Sequence, residues 1–195
     1  MKRLFSSILV LVFSCYLVAQ APDLDYYSQL GFSIGYGNEK FQGQIQNKGL
    51  SIGIVHGSVI YKSVFMEGSA INFGLYKGGD NKLHSVTFDG FVYDVGLGYS
   101  SENFFIGVAP LSVNLTASSN LGMAVLSKVK LMRHFVIENK FMPFVYGDSQ
   151  NYGLFNNNFF VGLHYWHSDY FSLGLRYNKY LDMGNFSLMF SWNLL

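Results

Sequence analysis

The 195-residue chain is poor in cysteine, proline and charge. Its one cysteine, Cys15, lies in an apolar N-terminal stretch, so the rest of the chain can form no disulfide and no cysteine-ligated metal site. Only three prolines occur, as expected where backbone donors must stay paired. Charged residues make up 13% of the chain, about half of the ~25% of an ordinary soluble domain. Such a chain has difficulty covering itself with polar surface.

An excess of one charge sign is also missing, because 13 Lys and Arg stand against 12 Asp and Glu. A balanced chain creates no positive field for a phosphate backbone, so we expect no nucleic-acid partner. After residue 21 there is no unbroken apolar run of the ~20 residues that a membrane-spanning helix needs.

Residues 1–21 have the layout of an export signal. A positive head, Met1-Lys2-Arg3, precedes the apolar run Leu4–Val18, which ends in the small-x-small pattern Ala19-Gln20-Ala21. We therefore expect a cleavable signal over residues 1–21 and one mature domain over residues 22–195. A membrane anchor helix and lipid attachment at Cys15 are the alternatives.

What the chain does have is aromatic residues in strict alternation with small or polar ones. Aromatics reach 18% of the chain. Phe171, Leu173, Leu175 and Tyr177 alternate with Ser172, Gly174, Arg176 and Asn178, and four other segments are as clean. A period of two is the pattern of a β-strand with two different faces.

The alternating segments predict about ten strands, with eight as the alternative. They are roughly 26–37, 49–64, 69–77, 84–100, 103–116, 121–132, 135–146, 159–166, 170–180 and 186–195. Short turns at 65–68, 100–103, 133–134 and 167–169 then lie on one rim of an up-and-down antiparallel barrel. Loops at 38–48, 78–83, 117–120, 147–158 and 181–185 lie on the other. The apolar positions change parity within 49–64, which predicts a bulge near His56-Gly57.

The chemistry of the two faces distinguishes a membrane barrel from a soluble one. One face is Leu, Phe, Ile, Val and Tyr, and the other is Gly, Ser and Asn with isolated charges. A soluble barrel has a charged exterior and an apolar interior, whereas a membrane barrel has an apolar exterior and a small or polar lumen. We therefore predict an all-β transmembrane barrel with its polar face inward.

The chain from residue 22 onward resembles the bacterial outer-membrane β-barrel proteins. The most specific element is the terminal strand Phe186–Leu195, which is similar to the C-terminal signal read by the barrel-insertion machinery of that superfamily. The usual pattern ends on an aromatic residue, whereas this chain ends on Leu195. The resemblance implies residence in the outer membrane, contact with its lipid, and insertion through the C-terminal strand. We expect a monomer.

No catalytic or metal-binding motif is recognisable, so we expect no enzyme, cofactor or metal. His164 and His167 are three apart and would face opposite sides of a strand, which disfavours a shared metal. His167-Ser168-Asp169 is read as a turn, because adjacent residues cannot form a catalytic triad. The His-x-Ser pair of outer-membrane lipid A deacylases is absent.

The candidate functional residues are strand charges expected in the lumen: Asp94, Lys128, Lys130, Glu138, Lys140 and Arg176. Lys130 and Glu138 are expected to pair across the hairpin of their two strands. Without Asp94, the set predicts either an ion-pair network that plugs the barrel or a narrow, anion-leaning pore lined by four cations and one carboxylate. The leading hypothesis is a non-enzymatic structural, adhesive or narrow-channel barrel. A lipid- or peptide-processing barrel enzyme and a soluble ligand-binding barrel are the alternatives.

Overall fold

The computed structural model describes residues 20–41, 44–71, 73–77, 83–86, 90–114, 120–146, 158–180 and 183–194. In these ranges all regular secondary structure is β-strand. None of the described residues belongs to a helix with the length and hydrophobicity of a transmembrane span. Apart from residues 20 and 21, the predicted signal lies outside the described ranges, as does most of the predicted loops 78–83, 117–120 and 147–158.

Twelve strand segments follow one another along the chain. They are β1 (Tyr26–Phe41), β2 (Gln44–Tyr61), β3 (Val64–Ile71), β4 (Phe73–Lys77), β5 (Leu83–Val86), β6 (Gly90–Ser101), β7 (Phe104–Asn114), β8 (Asn120–Met132), β9 (Phe135–Tyr146), β10 (Asn158–Ser168), β11 (Phe171–Tyr180) and β12 (Met183–Asn193).

These segments form ten strands of one closed antiparallel barrel. β3 and β4 pair with β2 in a single register, His56 with Ser69 and Ile52 with Phe73, so they are two parts of one strand. β6 pairs with β3 and β5 pairs with β4, in registers that differ by one residue, so β5 and β6 form the next strand of the ring. β1 pairs with both β2 and β12, which closes the sheet and leaves it no edge. The prediction of an up-and-down barrel of ten strands is confirmed.

The two rims differ. Two-residue turns at Lys62-Ser63, Glu102-Asn103, Arg133-His134 and Asp169-Tyr170 form one rim, which also holds residues 20–25 and the end of β12; we call it the turn rim. The opposite end, the loop rim, carries the connections after β1, β4, β7, β9 and β11.

Two predicted connections were wrong, and the predicted loop 181–185 is too long, because β12 begins at Met183, which pairs with Tyr180. Residues 38–48 were expected to be a loop, but β1 and β2 continue through most of them, pairing Glu39 with Asn47 and Phe41 with Gln44. Where a strand has polar residues on both faces, its sequence shows no alternation of apolar and polar residues and does not predict a strand. Residues 65–68 were expected to be a turn, but they lie inside β3, and the turn is Lys62-Ser63, where Lys62 has φ 53°.

The predicted bulge in β2 is confirmed close to its expected place. Gly31 of β1 pairs with His56, whereas Ser33 pairs with Gly53, so β2 holds one extra residue between Gly53 and His56. Leu50 before the bulge and Val59 after it are both exposed on the outside although their parity differs. The extra residue therefore keeps the apolar side chains on one face of the barrel.

The two faces are separated as the alternation predicted. Leu97, Leu175 and Leu188 are exposed on the outside, whereas Asp94 and Ser191 are fully buried inside. Phe190 shares the outer face but is half-buried, because it stacks on Phe32 of the neighbouring strand with ring centroids 4.9 Å apart.

Candidate functional site in the barrel lumen

The lumen next to the turn rim is apolar and holds large side chains, which corrects the expectation of a small or polar lumen. Large side chains there are at most 2% exposed: Tyr27, Ile60, Phe65, Phe105 and Trp166. They pack together, with the rings of Phe65 and Phe105 edge to face at 5.3 Å and those of Tyr27 and Trp166 at 6.1 Å. A narrow barrel has to fill its interior with side chains, and this level is filled like a soluble core.

Deeper in the barrel, six ionisable side chains form what we call the lumen charge cluster: Glu67, Asp94, Lys128, Glu138, Lys140 and Arg176. Five of them are less than 9% exposed, and the side chain of Arg176 is 11% exposed. Three cations thus meet three carboxylates. The pattern of four cations and one carboxylate that suggested an anion-leaning pore is not what the lumen contains.

Glu138 is the centre of this cluster. Lys128 Nζ donates to Glu138 Oε2 at 2.7 Å, and Arg176 donates to Glu138 Oε1 from Nε at 3.1 Å and from Nη2 at 2.5 Å. The side chains of Glu138 and Lys128 are each 2% exposed. Charge-assisted hydrogen bonds of this kind are the strong ones, and here they satisfy both carboxylate oxygens.

The sheet register explains how three strands bring these groups together. Lys128 pairs directly with Glu138 across β8 and β9. On the other side Glu138 pairs with Gly162 of β10, and Gly162 pairs with Arg176 of β11. Because Gly162 has no side chain, Arg176 can reach across β10 to the carboxylate. A Cβ at Gly162 would lie only 2.8 Å from Glu138 Oε1.

A second ion pair crosses the lumen. Lys140 of β9 donates to Asp94 of β6, and these strands are separated by β7 and β8 in the ring. Asp94 also pairs with Glu67 across β3 and β6, which sets two buried carboxylates side by side. Within the described residues, Asp94 Oδ1 and Glu67 Oε2 have no hydrogen-bond partner. Among the described residues, Lys140 is the cation that forms a salt bridge with this acidic pair, through Asp94.

A chain of polar contacts joins the apolar layer to Glu138. Tyr27 OH donates to Gln29 Oε1, and Gln29 Nε2 lies 3.3 Å from His164 Nδ1. His164 Nε2 lies 3.0 Å from Glu138 Oε1, although without the alignment of a hydrogen bond. Lys128 Nζ lies 4.9 Å from the centroid of the Tyr27 ring, within cation–π range.

The free space beside Glu138 is small. A cavity of about 10 Å³ is lined by Gln29, His56, Ser58, Glu67, Glu138 and Arg176. That is the space of about one water molecule. Next to it, His56 Nε2 and Ser191 Oγ lie 3.1 Å apart, a hydrogen bond that joins β2 to β12 through the lumen.

The structure brings together five of the six candidate residues and separates the sixth. Lys130 pairs with Asp23 at 3.1 Å near the turn rim, so the predicted pair of Lys130 with Glu138 is wrong. A register shift between Lys130 and Met132 places Lys128 opposite Glu138 instead.

Sequence reasoning missed three members of the site. Glu67 was assigned to a turn, and no motif marked Gln29 or His164 as lumen residues. The one available signal was their position in the period of two. Gln29 lies on the same face as Tyr27 and Gly31, and His164 lies on the same face as Gly162 and Trp166.

The segment that was predicted to be a turn from its sequence lies at the turn rim. The segment His167-Ser168-Asp169 leads from the end of β10 into the turn Asp169-Tyr170, and Ser168 Oγ accepts hydrogen bonds from the backbone of Tyr170 and Phe171. In the part of the chain that the structure describes, no three His, Cys, Asp or Glu side chains are arranged to hold a metal ion.

No protein-family model and no curated protein matches the chain. Several solved structures are similar to it, among them the following three. The first is the KdgM porin in complex with disordered oligogalacturonate (10% identity, TM-score 0.41, 86% of this chain and 99% of that one). The second is the outer membrane protein Omp33 of Acinetobacter baumannii (10%, 0.36, 88% and 100%). The third is the outer membrane protein OprG of Pseudomonas aeruginosa (9%, 0.28, 91% and 98%). Similarities this distant carry no argument about what the chain binds.

Proposed function

We propose that the chain is a non-enzymatic protein of the bacterial outer membrane whose barrel is closed in its resting state. On this proposal it is a structural or adhesive barrel and not a constitutive pore. The observation that carries it is the lumen charge cluster, in which Lys128 and Arg176 bind Glu138. Glu138 and Lys128 are each only 1% exposed. A wet, conducting lumen would leave such groups accessible to water.

The outer surface supports a place in a membrane. Leucine, valine and aromatic side chains are exposed around the barrel, with Leu97 67% and Tyr99 66% exposed. An apolar surface this extensive is not tolerated by a soluble monomer and fits a lipid environment. In outer-membrane barrels short turns face the periplasm, so we assign the turn rim to that side.

The closing strand supports the insertion route implied by the sequence resemblance. β12 pairs with β1 over Gln29–Glu39 to complete the barrel, and its exposed residues are Phe186, Leu188 and Trp192. We propose that the insertion machinery recognises this apolar face before the barrel closes, and that the inserted protein is a monomer.

A narrow channel is the second candidate. It is favoured by the ion pairs Arg176–Glu138 and Lys140–Asp94 inside the lumen, because a water-filled path beside Glu138 would be lined by charged side chains. The two candidates differ in one measurable property, which is the conductance of the unmodified protein.

Planar-bilayer recording tests the proposal. Refolded protein is expected to insert without steady conductance steps, while an open porin added to the same bilayer serves as the positive control. Steady steps from the unmodified protein, with a cation-to-anion selectivity that changes in Glu138→Gln, would establish the channel instead. Recovery of the folded protein from the periplasm without detergent would contradict the membrane location and favour the soluble alternative.

A further inference from the structure

Four residues before β1, Pro22–Asp25, lie against the turn rim; we call them the strap. Leu24 N donates to Glu102 O at 3.1 Å, and Asp25 O accepts from Lys62 N at 2.8 Å. Asp23 Oδ1 accepts from Lys130 Nζ at 3.1 Å. The strap is thereby bonded to two of the four turns and to the wall of the lumen.

The path of the chain shows that the strap crosses the barrel mouth. Just before it, Ala21 N donates to Arg133 O at 2.7 Å, in the turn between β8 and β9. β8 and β9 lie five and four places from β1 in the ring of ten strands, on its opposite side. The chain therefore runs from the far wall to β1, a distance that five extended residues can cover at up to about 17 Å.

The strap also fills the opening. Leu24 is fully buried and belongs to the same apolar cluster as Tyr27, Phe105 and Trp166. A segment that only led into β1 would have no reason to place a leucine inside the lumen. This barrier is separate from the lumen charge cluster, which lies deeper in the barrel.

We propose that the strap is a gate over the periplasmic mouth, held closed by the Asp23–Lys130 ion pair. The side chain of Lys130 is 5% exposed and that of Asp23 is 50% exposed, so the pair lies at the boundary between lumen and water. It is the one side-chain ion pair between the strap and the barrel in the described ranges. Cleavage after Ala21 would remove the bond of Ala21 to Arg133, but Asp23, Leu24 and Asp25 lie on the mature side of the predicted site. Lys130, the partner of Asp23, belongs to β8 and so lies on the same far wall.

Thiol labelling at a buried lumen position tests the gate. Ser172 is fully buried at the level of Trp166, its partner in the sheet, just inside the strap. A Ser172→Cys probe, with Cys15→Ser so that it is the one thiol, is treated with a charged methanethiosulfonate reagent in detergent micelles. We expect slow labelling with the strap intact, compared with a Lys62→Cys probe on the exposed turn.

Asp23→Asn and Lys130→Gln are each expected to raise the labelling rate about fivefold, the factor that corresponds to ~1 kcal/mol for a partly exposed ion pair. Asp25→Asn makes the same chemical change two residues away, where the bond to Lys62 is made by the backbone, and is expected to leave the rate unchanged. The exchange Asp23→Lys with Lys130→Asp should restore slow labelling. Unchanged heat-modifiable migration on a gel verifies folding of each variant.

The outcomes separate this gate from the closed lumen proposed above. Labelling of Ser172→Cys as fast as that of Lys62→Cys would overturn the gate, and so would equal effects of Asp23→Asn and Asp25→Asn. A rise in Glu138→Gln without a rise in Asp23→Asn would place the route of entry at the loop rim. That result would leave the charge cluster as a barrier and remove the strap from that role.

Discussion

Replacing Glu138 by glutamine removes the carboxylate on which two lumen cations depend. Lys128 Nζ lies 2.7 Å and Arg176 Nη2 lies 2.5 Å from it, and the amide that replaces it carries no charge to neutralise either one. Breaking a buried ion pair from one side typically costs ~3–5 kcal/mol, because the other charge stays buried without a counterion. We expect the free energy of unfolding to fall by that amount in Glu138→Gln.

Urea unfolding in detergent micelles measures the change. Trp166 is fully buried inside the lumen and Trp192 is exposed on the outer face, so fluorescence reports on both sides of the barrel wall. Glu102→Gln is the matched control, because Glu102 is exposed in a turn of the turn rim and its backbone carbonyl makes the bond to Leu24. A surface change of this kind is expected to stay within ~0.5 kcal/mol.

A double variant then isolates the pair. Lys128→Met removes the more deeply buried of the two cations that Glu138 neutralises, so adding it to Glu138→Gln should cost less than the sum of the two single changes. The reasoning fails if Glu138→Gln costs under ~1 kcal/mol, the range of a pair screened by water. Such a lumen would be wet, and the closed barrel would have to be abandoned.

Three further predictions use the same unfolding assay or the exported protein. Leu97→Arg on the outer face should cost ~2–4 kcal/mol if it lies near the membrane midplane, whereas a cost within ~0.5 kcal/mol would contradict its contact with lipid. Gly162→Val should cost ~1–3 kcal/mol, because its Cβ would meet Glu138 Oε1 at 2.8 Å; Gly57→Ala, whose nearest neighbour is at 3.6 Å, is the tolerated comparison. N-terminal sequencing of the exported protein should read Pro22-Asp23-Leu24-Asp25, and a retained Met1-Lys2-Arg3 head would refute the cleavable signal.

The sequence was enough to predict the strands and the sides of the barrel wall wherever one face is apolar and the other polar. Leu175 and Arg176 differ so sharply in chemistry that their alternation could belong only to a wall between an apolar and a polar environment. The same logic predicted ten strands and the bulge in β2, where Leu50 and Val59 would otherwise face opposite sides. One residue of slip exchanges the two faces, so the difference between the faces imposes the register.

That argument fails where both sides of the wall are apolar or both are polar. At the turn rim, Val64 and Met66 are exposed outside while Phe65 is buried inside, so the start of β3 has no visible alternation and was read as a turn. Glu67 was lost from the predicted site for this reason. Near the loop rim, β1 and β2 are polar on both faces around Glu39 and Asn47 and were read as a loop.

The partner of each lumen charge depends on a detail that composition does not contain. In the hairpin of β8 and β9, Met132 pairs with Phe135 but Lys130 pairs with Val136, so Leu131 is an extra residue in β8. Without it, Val129 would stand opposite Glu138 and no lysine would. With it, Lys128 neutralises Glu138 from the neighbouring strand, and Lys130 stays near the turn rim where Asp23 of the strap can reach it. One inserted residue therefore supplies a cation to both barriers, the lumen charge cluster and the strap, and an insertion or deletion there would be expected to weaken both at once.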